Sequence, residues 1–153
     1  MIAKPVVGTK HSLLFTQKIA QDELNDESIR SVPAIYQESV PGNVHLRVNC
    51  FGEYVTASRI QTDDLDWRSN LNVSIETFNI DNEVTTKIYK TLNALGLAMG
   101  IIDLKITPNG EVVWFEVNPQ GQFLFLEGIT NEPLLKSFCS YLVETAKSAQ
   151  EKT

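Results

Sequence analysis

Val112-Val113-Trp114-Phe115-Glu116-Val117-Asn118-Pro119-Gln120-Gly121-Gln122 runs from an apolar strand into a loop of polar and small residues. Side chains alternate along a strand, so Val112, Trp114 and Glu116 are expected on one face, continued by Asn118. A carboxylate and a carboxamide two residues apart on a strand that otherwise looks buried need a reason. The preceding strand, Met99 to Ile106, offers one, because Ile101, Asp103 and Lys105 share a face there, and Pro108-Asn109-Gly110 joins the two strands. If Asn109-Gly110 forms a two-residue turn, Asp103 lies directly opposite Glu116 and Ile101 opposite Asn118. Opposed carboxylates repel unless a cation lies between them, and a hard ion such as Mg²⁺ takes oxygen ligands of this kind. Pro-Asn-Gly also suits a three-residue loop with a bulge, which shifts the register by one and turns Asp103 to the other face. Spacing leaves both readings open, along with a plainer one in which these are edge-strand charges that keep a hairpin soluble.

Outward from this hairpin, the chain reads as strand-rich material followed by helix, hairpin and helix. Met1 to Ala3 looks like the end of a strand, Ser12 to Ile19 like a second short strand, and Asp22 to Arg30 like a short polar helix. Ala34 to Val40, Val44 to Phe51 and Tyr54 to Ile60 are three strands in close order, the last two joined at Phe51-Gly52-Glu53-Tyr54. Thr62 to Asn79 is polar and irregular, which predicts a long loop. Asp81 is a helix N-cap, Val84, Ile88, Leu92 and Leu95 fall on one helical face, and Gly96 closes the helix. A last helix is expected from about Asn131 to Ala149, with Leu134, Leu135, Phe138, Leu142 and Val143 facing inward. This order predicts an α+β fold, an antiparallel sheet with flanking helices, and leaves no room for repeated βαβ units.

The 153 residues suffice for one core, and 42% hydrophobic with 21% charged residues is an ordinary globular balance. A net charge of −6 without any basic block argues against nucleic acid as a partner. Cys50 and Cys139, each among apolar neighbours, are expected to be buried thiols, and His11 and His45 have no ligand-like spacing to them. No apolar run reaches spanning length and no basic-then-apolar leader is present, so a cytoplasmic chain is expected, with no membrane partner.

Phe115-Glu116-Val117-Asn118-Pro119-Gln120-Gly121-Gln122 resembles the metal-binding motif of the ATP-grasp superfamily, which reads E-V-N-P before a short loop containing Gly. Three further stretches agree in order. Ala3-Lys4-Pro5 is similar to the superfamily's strand ending in a nucleotide-binding lysine. Tyr36-Gln37-Glu38-Ser39-Val40-Pro41-Gly42 is similar to the hinge that holds adenine. Asn43 to Gly52, with Leu46-Arg47-Val48, resembles its d-l-R-v-f-v-v-G strand. Asp66-Trp67-Arg68-Ser69-Asn70 points to the ligases that modify ribosomally made peptides, the microviridin-type maturases. It also resembles the R-S-N segment of glutamate-adding ligases, but no Gly-Gly pair follows Asn70.

The resemblance spans nearly the whole chain. Because Lys4 stands almost at the first residue, it implies the C-terminal half of such a ligase: residues 1–42 as a remnant of the central subdomain and 43–153 as the C-terminal subdomain. Such ligases phosphorylate a carboxylate with ATP, and an amine or hydroxyl then attacks the acyl phosphate. The resemblance implies Asp103, Glu116 and Asn118 as Mg²⁺ ligands, and Lys4, Gln37, Glu38 and Val40 as the nucleotide contacts. Arg47, Arg59, Arg68 and Asn70 would act on the phosphates or the acyl phosphate. ATP and a peptide carboxylate are the implied partners, and an unpaired edge near Met1 to Ala3 would favour self-association or pairing with an N-terminal half. A catalytically incomplete nucleotide-binding remnant or partner subunit is the rival reading.

Overall fold

The computed structural model describes residues 1–6, 15–20, 22, 26–31, 33–70 and 72–151. Two antiparallel sheets organise them. The smaller has the order β2-β1-β3, from β1 (Ile2–Pro5), β2 (Gln17–Lys18) and β3 (Ala34–Gln37). The larger has the order β6-β5-β4-β7-β8, from β4 (Val44–Phe51), β5 (Tyr54–Gln61), β6 (Ser74–Phe78), β7 (Met99–Ile106) and β8 (Val112–Asn118). Helices α1 (Asp26–Ser31), α2 (Asn82–Ala94), α3 (Leu124–Thr130) and α4 (Leu134–Gln150) complete an α+β fold.

The alternation of β4 divides the large sheet. Leu46, Val48 and Cys50 point to one face, where they form the core with Ala57, Ile102, Leu104 and the buried Ile88 and Leu92 of α2. His45, Arg47, Asn49 and Phe51 take the other face. At its far end Phe51 meets Phe123 and Phe138 at ring separations of 4.8 and 5.2 Å, which seats α4 there. The rest of that face is left for a cleft.

Helix α2 forms as its sequence predicts. Asp81 Oδ1 accepts from the Glu83 amide at 2.6 Å, and Gly96 at φ +67° lets Leu97 N return to Leu92 O at 2.9 Å. Leu97, not Leu95, packs against the core; Leu95 is exposed at the helix end. In α4 only Leu134 is fully buried and Phe138 joins the aromatic cluster, while Leu135, Leu142 and Val143 face outward. Cys50 is buried as expected, but Cys139 is exposed on that outward side.

Four expectations are corrected. The stretch Thr62 to Asn79 contains a 3₁₀ turn, Trp67–Ser69, and edge strand β6. A separate short helix, α3, precedes the last one. The hinge strand ends at Gln37, short of Val40. And Ile2 and Ala3 do not form an open edge, because β1 pairs with β2 on one side and β3 on the other. The two early elements expected at Ser12 to Ile19 and Asp22 to Arg30 fall partly outside the described residues; β2 and α1 are what lies within them.

Hairpin β7–β8 reaches the expected pairing by an unexpected route. Thr107 N donates to Glu111 O and Gly110 N to Thr107 O, both at 2.9 Å, with Gly110 at φ +82°. This is the three-residue loop, which pairs Ile106 with Val112 and Leu104 with Trp114. A register shift then falls between Leu104 and Asp103, leaving Phe115 unpaired, and beyond it Asp103 opposes Glu116 and Ile101 opposes Asn118. The bulge cancels the turn's one-residue offset. Trp114 consequently packs with the core while Glu116 turns to the cleft face, so the two do not share a face.

Candidate functional site

A cleft of about 430 Å³ lies between the two sheets. Ile2, Lys4, Val6 and Ile35 contribute from the small sheet side, Val40 from the connection, and His45, Arg47, Asp103, Lys105, Phe115 and Glu116 from the large sheet. The 3₁₀ turn closes one wall with Asp66, Trp67 and Arg68.

Arg47 is the most constrained cation in it. Its Nη1 donates to Asp103 Oδ1 at 2.8 Å and Oδ2 at 3.0 Å, and its Nη2 donates to Gln122 O at 2.8 Å. The guanidinium sits 6.0 Å from the ring centres of both Trp67 and Phe125, which stack on each other at 6.1 Å. Planar Arg suits such a bracket, where Lys would not. Arg47 thus ties together β7, the loop after β8 and the 3₁₀ turn.

Arg68 reaches the cleft from that turn. It holds the buried Asp66 with two parallel bonds, Nε to Oδ1 at 2.7 Å and Nη2 to Oδ2 at 2.5 Å. Burial pushes the Asp66 carboxyl up, but the hydrogen bonds and charge of Arg68 outweigh it and leave the group below its ordinary value. Asp66 in turn pushes Arg68 up, with smaller contributions from Glu116 and Asp103. Burial raises the Asp103 carboxyl above its ordinary value, Arg47 opposes this, and Glu116 adds to it. Lys4 projects into the cleft with Nζ 5.2 Å from the centre of the Phe115 ring.

The structure does not gather every residue singled out by sequence. Arg59 pairs with Leu46, so it lies on the α2 face of the sheet, away from Arg47, and binds Glu76 at 3.3 Å and Gln61 at 3.1 Å. Asn70 is occupied in the turn: its Nδ2 donates to Asp64 at 3.1 Å and its Oδ1 accepts from Asn72 N at 3.0 Å. Gln37 and Glu38 do not line the cleft, whereas Val40 does. Sequence reasoning passed over His45, Lys105, Asp66, Trp67, Phe115 and Phe125 as site residues. The first two stood on the right face by simple alternation from Arg47 and Asp103.

Asp103 and Glu116 are directly opposed on the cleft face, and Asn118, two residues beyond Glu116, continues it. Asn118 Oδ1 accepts from Gln120 N at 2.9 Å, which leaves its carboxamide oxygen a second lone pair. Gly121 keeps this loop close: a Cβ there would stand 2.7 Å from Ile101 Cβ. Two carboxylates and a carboxamide are hard oxygen ligands and fit Mg²⁺. Among the described residues no three of His, Cys, Asp and Glu gather as a cluster. No described helix is long and apolar enough to cross a membrane.

Two antiparallel sheets facing each other across a cleft, with flanking helices, are the fold this chain shares with solved ATP-grasp ligases. It is similar to ligases of that class that mature ribosomal peptides. Macrocyclase MdnC from Microcystis aeruginosa MRC, solved with precursor peptide MdnA, superposes with a TM-score of 0.80 at 23% identity over 94% of this chain. The ATP-grasp ligase PsnB, complexed with precursor peptide PsnA2 and AMPPNP, gives 0.76 at 25% identity over 95% of this chain. A RiPP-associated ATP-grasp ligase from Chryseobacterium gregarium, in complex with ADP and a leader and core peptide, gives 0.79 at 21% identity over 94%. The chain spans only about half of these neighbours, 48%, 46% and 48% of their lengths. No protein-family model and no curated protein sequence matches it.

Proposed function

We propose that this chain is the Mg²⁺-nucleotide-holding portion of an ATP-dependent ligase that activates a peptide carboxylate. The observation that carries the reading is the opposed pair Asp103 and Glu116, set in a cleft that also receives Lys4, Arg47 and Arg68. PsnB, solved with minimal precursor, Mg and ADP, is the neighbour whose ligands support it, at 25% identity.

In this reading ATP enters with adenine toward Val40 and its phosphates toward the carboxylate pair. Asp103, Glu116 and Asn118 would hold Mg²⁺, which when bound would supply positive charge against the phosphates. A substrate carboxylate oxygen attacks the γ-phosphorus and ADP leaves. An amine or hydroxyl then attacks the acyl carbon, and phosphate departs as the ester or amide forms. Lys4 offsets phosphate charge. Arg68, already in the field of Glu116 and Asp103, presents a cation to the transferring group from the wall of the cleft. Arg47 orients Asp103 and holds the Asn118–Gln122 loop.

The test is ADP release from ATP and Mg²⁺ on addition of an acidic precursor-type peptide. Peptide-stimulated release that is lost in Glu116→Gln supports the ligase. Mg²⁺-dependent nucleotide binding with no release under any peptide supports the rival reading, a nucleotide-binding partner subunit.

A further inference from the structure

One pleat from the Arg47–Asp103 pair, about 7 Å along the same strands, His45 and Lys105 oppose each other on the cleft face. Both are more than nine-tenths buried, at 7% and 5% exposure, and both line the cleft. His45 Nε2 has no hydrogen-bond partner, and among the described residues no carboxylate offsets the charge of Lys105. The nearby acids are committed, Asp66 to Arg68 and Asp103 to Arg47. A buried ammonium without a counter-charge is costly, and Lys18 on the neighbouring sheet adds repulsion rather than relief.

We propose that Lys105 and His45 form an oxyanion subsite, separate from the metal pair, that holds a nucleotide phosphate close to the ribose without Mg²⁺. The proposal rests on the nucleotide reading above. A phosphate is favoured over a substrate carboxylate by position. The subsite shares the cleft with the apolar slot of Ile2, Ile35 and Val40, feels the charge of Lys18, which pairs with Ile2, and lies two residues along β7 from Asp103 of the Asp103–Glu116 pair. A nucleotide running from slot to metal pair crosses it with its first phosphates. Burial and Lys105 bring the His45 imidazole down to about 4, so at neutral pH it is uncharged and offers one donor and one acceptor beside the ammonium.

The experiment compares ADP and adenosine binding by calorimetry in EDTA, and ADP with Mg²⁺, for the wild-type chain, Lys105→Met and Glu116→Gln. In EDTA the wild type should prefer ADP over adenosine by about tenfold or more, as a charge-assisted hydrogen bond allows. Lys105→Met, close to Lys in volume and checked for folding by thermal melting, should erase that preference yet keep a Mg²⁺ enhancement. Glu116→Gln should do the reverse, and His45→Gln should lose part of the preference. Wild-type protein that binds Mg²⁺-ADP but shows no ADP preference in EDTA would overturn the subsite alone. So would Lys105→Met retaining the preference. Folded protein that binds no nucleotide with Mg²⁺ would overturn the nucleotide reading and the subsite with it.

Discussion

Arg47 Nη1 lies within 3.0 Å of both carboxylate oxygens of Asp103, so the protein's own cation occupies the group best placed to receive a metal. Removing Arg47 leaves Asp103 opposite Glu116 without its hydrogen-bonded cation and with only the charge of Arg68 to offset the pair. Arg47→Met should lower stability by about 2 kcal/mol in EDTA. Millimolar Mg²⁺ should then raise its melting temperature more than that of the wild type, because the competitor for Asp103 is gone. Equal Mg²⁺ shifts in both proteins would contradict this.

Arg59 supplies the control. It lies on the α2 face and its partner Glu76 is largely exposed. Arg59→Lys should leave nucleotide affinity within about twofold and stability within about 0.5 kcal/mol, as for other exposed pairs. A tenfold loss of affinity in titration would mean that Arg59 reaches the cleft.

Much of this was legible in the sequence. The α2 caps, Asp81 and Gly96, and the strands on either side of Gly52 and Gly110 follow from local chemistry that tertiary packing did not override. Even the displacement of Arg59 was within reach: a two-residue turn at Gly52-Glu53 pairs Leu46 with Arg59, and so sends Arg59 and Arg47 to opposite faces. Other features were not legible. The Phe115 bulge leaves no mark in composition, and without it the three-residue turn argues against the Asp103–Glu116 pair. β6 is an edge strand whose Ser, Glu and Thr face solvent, so it lacks a clean apolar alternation. Helix α3 is seven residues long and has no side-chain cap hydrogen bond to announce it. The pairing of Trp67 with Phe125 over Arg47 joins residues far apart in sequence, which no local pattern records.

Buried His45 makes stability depend on pH. Burial is the main cause of its fall from 6.5 to about 4, Lys105 adds to it, and Asp66 opposes. The folded chain therefore resists a proton that the unfolded chain accepts near 6.5, so the contribution is complete above that pH and declines as pH falls toward 4. Denaturant melts should show the wild type losing about 2 kcal/mol more than His45→Phe between pH 7 and pH 4. Parallel profiles for the two proteins would show that His45 does not titrate this way.

Gly121 has no room for a side chain against Ile101. Gly121→Ala should displace the Asn118–Gln122 loop, cost about 1–3 kcal/mol of stability and weaken the Gln122 O contact to Arg47. Its Mg²⁺-dependent nucleotide affinity should fall with it. A variant as stable and as tight-binding as the wild type would show that the loop has slack.

The central claim is that the Asp103–Glu116 pair holds Mg²⁺ against a nucleotide. Calorimetric titration of ATP into the folded chain, with and without Mg²⁺, tests it most directly. Dissociation constants from tens of micromolar to about millimolar are expected with Mg²⁺, equivalent to roughly 4–6 kcal/mol. Glu116→Gln should remove most of the Mg²⁺ dependence, since it deletes one anionic ligand with little change of shape. Folded protein that takes up no ATP in the presence of Mg²⁺, or a Glu116→Gln variant whose Mg²⁺ dependence is intact, would contradict the account.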